Sequence, residues 1–175
     1  MIMRPGQPLL LPASGVFIWS SLILTLLLEM LLHIGLGRTA WLPDLLALTL
    51  LFWTIHQPLR VSVGSAFVFG LLLDVHQGAL LGQHALAYTV LSYLATLIQR
   101  RVLWFDLRSQ AVQLLPLFMV SHALQLLVGM LAGGNWPGWG LLLTPLLEAL
   151  LWPLATAVLL APQRRAHDHD ETRPI

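Results

Sequence analysis

Few side chains in this sequence can do chemistry, and most of those that can are set within apolar stretches. Glu29 and His33 stand four residues apart, the spacing that brings two side chains together on one helix face, so they can pair or relay a proton. His84, His122 and Glu148 each sit in their own apolar run, where an ionisable group is expensive and marks a hydrogen-bonded or functional position. The two lone histidines read first as hydrogen-bond partners and only second as metal ligands. Glu148 falls between Pro145 and Pro153, whose missing amides free carbonyls and kink a helix, and it is placed to meet another span or a partner. Asp74 ends an apolar run shortly before Gly78 and Gly82, where a carboxylate either caps the next helix or binds a partner. Ser92 and Ser121 are the serines nearest to a catalytic setting, with only His122 beside Ser121 and no Lys in the chain. Zero Cys removes thiolate nucleophiles, disulfides and Cys-based metal sites, and the two-histidine zinc-protease helix is absent. The run His167, Asp168, His169, Asp170 and Glu171 has metal-ligand types but reads as a solvated tail. No catalytic residue, metal or cofactor is expected.

The elements that hold these groups are set by hydropathy. Of 175 residues, 57% are apolar and 10% charged, and the mean hydropathy is +0.78. A soluble domain carries about 25% charged residues, so this chain lacks the means to coat a water-facing surface and reads as an all-α, polytopic membrane protein. The net charge of +1 gives no nucleic-acid footprint. Six apolar stretches follow one another at residues 16–36, 44–56, 61–75, 79–98, 112–132 and 141–161, after a head of residues 1–15 and before a polar tail of residues 162–175. One helix across 44–75 would run about 48 Å, bury Arg60 at about 2.5–3.5 kcal/mol and place Pro58 in its interior. A turn at Gln57, Pro58, Leu59 and Arg60 avoids all three.

Six crossings put Arg4, Arg60, Arg100, Arg101, Arg108, Arg164, Arg165 and Arg173 on one side and Arg38 on the other. The positive-inside rule then places both termini in the cytoplasm. A five-span alternative keeps the last six of these inside as well, and the cost of burying Arg60 decides against it. The basic loop of residues 99–111 can also meet anionic lipid at about 1 kcal/mol per residue. Trp19, Trp41, Trp53, Trp104, Trp136 and Trp139 fall near expected span ends, where their rings suit the headgroup region, whereas Trp152 lies mid-span.

The densest local signal is WTIHQPLRVSVGSAFVFGLLLDVHQGALLGQHA, residues 53–85. Gly64, Ser65 and Ala66, then Gly70, form a small-residue face that admits a neighbouring helix backbone. The order Trp53, Pro58, Arg60, Gly64, then Gly70 to Asp74, Gly78, and Leu81 to Ala85 resembles the MreD family of bacterial rod-shape-determining proteins. The likeness extends to Gln99, Arg100 and Arg101 and to Leu151, Trp152 and Pro153.

The resemblance implies a small protein of the bacterial inner membrane without known enzymatic activity. It implies action with the bitopic protein MreC, and through it with actin-like MreB and the RodA and PBP2 cell-wall synthases. It also implies a six-helix fold similar to the substrate-binding subunits of energy-coupling-factor transporters. Pro58, Arg60, Gly64, Gly70, Asp74, Gly78, Gly82, Trp152 and Pro153 become candidates for partner binding or for the fold itself. The competing reading is a small-molecule transporter or its binding subunit, motivated by Glu29, His33, His84 and Glu148 inside the spans, by the short or proline-interrupted spans and by that fold similarity. Alkaline phosphatase joined after Arg38 is expected to be active in a bacterial host, and an inactive fusion would refute the six-span orientation.

Overall fold

The computed structural model describes residues 13–36, 42–134, 136 and 138–163. The head before Ala13, the segment 37–41 with Arg38 and Trp41, and the tail with Arg164, Arg165 and the His167–Glu171 run lie outside the described residues. Six helices follow in order: α1 (Gly15–Leu36), α2 (Leu45–His56), α3 (Val63–Gln77), α4 (Gln83–Val102), α5 (Leu107–Leu131) and α6 (Leu143–Leu160). Among the described residues there is no strand. Each expected stretch is one helix. By length and composition, α1, α5 and the stretch around α6 are long and apolar enough to cross a membrane, while α2 and α3 are apolar but shorter.

The contacts fix the directions. Arg60, in the turn before α3, donates from Nη1 to the carbonyl of Ala13 at 2.9 Å, just before α1. At the other end His76 Nε2 reaches the carbonyl of Met30 at 3.3 Å, so α1 and α3 run parallel. Helices α2, α4 and α6 run the opposite way: Thr54 meets Ser92 at 3.0 Å, and Phe52 lies against Trp152 at 6.0 Å between ring centres. The end holding Ala13 and the Pro58–Arg60 turn is called the near end here, and the end holding Asp44 and Gly78 the far end.

Helix α2 is the axis of the bundle. Every residue from Leu46 to Ile55 is buried, because α1, α4 and α6 surround it. A helix apolar on all sides is stable only in such a place. Its near half anchors an aromatic core. Trp53 is fully buried, packs edge-on against Phe17 and Phe52, and donates from Nε1 to Ser21 Oγ at 2.8 Å. Trp53 therefore belongs to the core and not to the headgroup belt expected for it. A short helix can hold its tryptophan inside because longer neighbours cover it. Trp104 and Trp139 are instead 86% and 77% exposed, as belt residues are. Trp152 is also fully buried, with Nε1 bonded to Gln110 Oε1 at 3.0 Å. The amide of Gln110 in turn donates to the carbonyl of Phe105 at 3.0 Å.

The connection expected over residues 99–111 is much shorter, because α4 continues to Val102 and α5 begins at Leu107. Asp106 makes this possible. It accepts from the Ser109 hydroxyl at 2.6 Å and from the Ser109 amide at 3.4 Å, which caps α5 and holds its carboxyl below the ordinary carboxylate range. Arg100 and Arg101 consequently occupy the last turn of α4, where positive charge complements the helix dipole. Pro145 falls in the first turn of α6, where a proline removes no helical hydrogen bond. Of the two prolines flanking Glu148, only Pro153 interrupts the ladder.

The joint between α3 and α4 is the closest in the bundle. A Cβ built on Gly70 would collide with the Ala85 backbone, coming within 2.6 Å of its N, and lie 2.8 Å from the His84 carbonyl carbon. The small-residue face around Gly70 is thus filled by this chain's own α4, whereas a Cβ built on Gly64 would point into open space. Helix α3 stops at Gly78, with φ +58°, and α4 starts from Gly82, with φ +104°. Glycine has no side chain to cap a helix, and Asp74 supplies the missing acceptor. Its buried carboxylate receives the amides of Gly82 and His84 at 2.8 Å each, the amide of Ala85 at 3.3 Å and His84 Nδ1 at 2.7 Å. Asp74→Ala leaves three amides without an acceptor and is expected to cost roughly 2–5 kcal/mol, Asp74→Asn less. Gly70→Leu should cost at least about 1–3 kcal/mol through overpacking. Thermal unfolding in detergent measures both, and unchanged midpoints would refute this account of the joint.

Candidate functional site

The far end of α2 poses a problem for a chain in lipid. Twelve residues span only about 18 Å, so the helix begins inside a bilayer core of about 30 Å, where unpaired amides cost several kcal/mol each. Three carboxylates from three elements meet there. Asp44, at the cap position, accepts the Ala47 amide on Oδ1 at 2.8 Å. Glu29 of α1 accepts the Leu45 amide on Oε2 at 3.1 Å. Glu148 of α6 accepts the Asp44 amide on Oε1 at 3.0 Å. All three are buried, and the positive end of the α2 dipole favours their charge.

Neighbours complete the cluster. Tyr88 of α4 donates its hydroxyl to Asp44 Oδ2 at 2.5 Å, and His122 of α5 donates from Nε2 to Glu148 Oε1 at 2.8 Å. Five of the six helices thus contribute to one polar knot. His33 is bonded elsewhere: its Nδ1–H donates to the Glu29 carbonyl at 2.9 Å and its Nε2 accepts from the Gln77 amide at 3.2 Å. Its Nδ1 lies 3.7 Å from Glu29 Oε1. The expected Glu29–His33 pair shares a face, but the short bond runs to the backbone.

Beside the cluster is a cavity of about 120 Å³, lined by Glu29, His33, Asp44, His122, Gln125 and Thr144 among others. Two polar atoms are buried without a hydrogen-bond partner, Gln125 Nε2 on a residue of the cavity wall and Glu148 Oε2 within the cluster. Ser121 Oγ has none either, so Ser121 and His122 do not form a nucleophile–base pair. Among the described residues no three His, Asp or Glu side chains are grouped to hold a metal ion.

The structure thus brings Glu29, His122 and Glu148 together, sets His33 at the cavity wall, and keeps His84 with Asp74 a short distance along the same wall. Pro58 and Arg60 lie in the turn before α3, and Trp152 and Pro153 in the near half of α6. Sequence reasoning missed Asp44, Tyr88 and Gln125. Asp44 carries a legible signal, an Asp directly after a proline and before an apolar run, which marks a helix cap. Tyr88 and Gln125 have none, since only the packing of α4 and α5 aims them at the far end of α2.

Three comparisons bear on identity. The family profile for rod shape-determining protein MreD matches residues 14–160. A rod shape-determining protein MreD of Haemophilus influenzae is 30% identical over 131 residues, which is 73% of this chain and 78% of that protein. No solved structure matches significantly, so the likeness to energy-coupling-factor subunits rests on the family resemblance alone. With a profile that covers nearly the whole described bundle, the chain belongs to the MreD family, membrane proteins that act in determining rod shape.

Proposed function

We propose that the chain is a non-catalytic scaffold of the cell-elongation machinery in the bacterial inner membrane. It has both termini in the cytoplasm, and it binds the transmembrane helix of MreC and through it reaches MreB, RodA and PBP2. The observation that best supports this reading is an apolar groove. Helices α1 and α6 flank α2, and between them runs a furrow of about 210 Å³ whose walls include Leu48, Leu151, Leu154, Ala155 and Val158. Its hydroxyls, Thr25 and Thr49, are bonded to carbonyls of their own helices. Helices associate in lipid by close packing and not by hydrophobic burial, so a furrow with small Ala155 on its wall suits a partner helix.

The transporter reading has less support. Ligand pockets for small molecules measure about 300–1,000 Å³, and the polar cavity is about 120 Å³. The ionisable groups that motivate that reading are mostly engaged with helix amides and with each other.

The chain has no Cys, so single cysteines carrying a photocrosslinker test the groove. Probes at Leu154 and Val158 are expected to trap MreC severalfold more than probes at Val112 and Leu127, which are exposed on α5. Ala155→Trp should fill the groove and round the cells without lowering the unfolding midpoint. Equal trapping at all four positions, or normal rods with the filled groove, would refute this docking face.

A further inference from the structure

The near end carries a surface that neither the groove nor the far-end knot uses. Helix α4 ends with Arg100 and Arg101 in its last turn, α5 starts with Leu107 and Arg108, and Leu103 to Asp106 join the two. That connection is fixed by its own backbone. The amide of Leu103 donates to the Gln99 carbonyl at 3.1 Å, that of Trp104 to the Arg101 carbonyl at 3.2 Å and that of Phe105 to the Val102 carbonyl at 3.1 Å. The Asp106 cap and the Gln110–Phe105 bond close the turn from the α5 side, and Val102 roots it in the core. Arg100, Arg101 and Arg108 are exposed, and so are Leu103, Trp104, Phe105 and Leu107 among them.

No described carboxylate pairs with these arginines. Each ion pair among the described residues is made by a histidine, and Asp106, the acid of the turn, gives both oxygens to Ser109. Three guanidinium groups face one carboxylate, so the turn is positive. By sequence, the tail beyond Gln163 sets Arg164, Arg165 and Arg173 against Asp168, Asp170 and Glu171, and the head adds Arg4, so neither makes the balance negative.

The apolar neighbours decide what that charge meets. A connection this short cannot carry the arginines away from the bilayer, and Trp104, 86% exposed, suits the headgroup region. The guanidinium groups then lie at the depth of lipid phosphates, which an arginine fork binds through paired N–H bonds. A soluble acidic protein answers the charge but leaves Leu103, Trp104 and Phe105 without apolar contact, whereas a phospholipid answers both. We propose that the α4–α5 turn is a docking surface for anionic phospholipid, its phosphate held by Arg100, Arg101 and Arg108 and its glycerol and upper chains lying against Trp104 and Phe105. Because the turn is already hydrogen-bonded in place, the lipid orders little of the protein on binding.

The chain has no Cys, so a dye can be placed on the full-length protein by Leu97→Cys, toward the near end of α4, or by Leu131→Cys, at the far end of α5, both exposed. In vesicles of phosphatidylcholine with a minor fraction of phosphatidylglycerol, energy transfer to trace acyl-labelled lipid reports which lipid gathers at each end. Transfer at Leu97 is expected to favour labelled phosphatidylglycerol severalfold over labelled phosphatidylcholine, and transfer at Leu131 to be equal for the two. Replacing Arg100, Arg101 and Arg108 together by Gln should weaken phosphatidylglycerol binding about tenfold at low salt, with little change in the unfolding midpoint, since all three are exposed. Should that variant fail to fold, high salt gives the second readout, because screening should abolish the preference in the otherwise unaltered chain. Equal transfer to both lipids at Leu97, an equal preference at Leu131, or a preference that survives the triple replacement or high salt would overturn the proposal. So would a preference that emerges only after Asp168→Asn, Asp170→Asn and Glu171→Gln, which would make the tail the occupant of the turn.

Discussion

The constraint on which the rest of this structure depends is the buried start of α2. A central helix too short to reach both surfaces must begin inside the low-dielectric interior, and its first amides then need acceptors that water cannot provide. The protein supplies carboxylates from α1, from the cap itself and from α6. That choice dictates much else. Glu29 and Glu148 must lie at one depth on two helices that flank α2, Tyr88 must close Asp44 from α4, and His122 must close Glu148 from α5. The amide ladder of one helix thereby sets the relative heights of four others.

The same solution recurs at the α3–α4 joint. There α4 begins from a glycine, and a carboxylate on the preceding helix takes three amides and an imidazole. In both places an acidic residue in an apolar run answers unpaired backbone groups, and the close approach at Gly70 follows because Asp74 draws the start of α4 onto α3. Polar atoms in this bundle are concentrated where the helical ladder breaks. The outward faces are left almost wholly apolar, as lipid contact requires.

Hydropathy alone locates the six helices, and Pro58 with Arg60 separates α2 from α3, which the Arg60–Ala13 bond at the near end bears out. What hydropathy does not reveal is depth. Trp53 reads as a boundary residue from its place near the end of an apolar run, and only the cover from Phe17, Phe52 and α1 makes it core. The connection after α4 reads as too long because Arg100 and Arg101 look like loop residues in a hydropathy trace, although charge suits the last turn of a helix equally well. The expensive residues are legible one by one, as Glu29, His122 and Glu148, but not as a group. Their partner is the backbone of α2, and backbone amides leave no mark in a sequence.

The groove and the knot are neighbouring parts of one surface of α2. Leu45 gives its amide to Glu29 and its side chain to the groove. Thr25 stands one turn before Glu29 on α1, and Leu151 about one turn after Glu148 on α6, so both walls of the groove continue directly into the two glutamates. The spacing of α1 and α6 at the far end is therefore fixed by hydrogen bonds to a common helix end. Farther along, α1 is joined to α2 by the Trp53–Ser21 hydrogen bond, and α6 rests on α2 by packing of Trp152 on Phe52. A carboxylate clamp at one end and an apolar cleft along the rest is a hinge-like division of labour, in which the clamp sets the angle at which the cleft opens and the cleft presents small and branched side chains at that angle. Selectivity for one transmembrane helix over another then comes from shape, since lipid tails and apolar side chains offer little chemical contrast. The scarcity of charge in the chain, with what little lies in the membrane drawn into helix ends, is what leaves the cleft free to discriminate by shape.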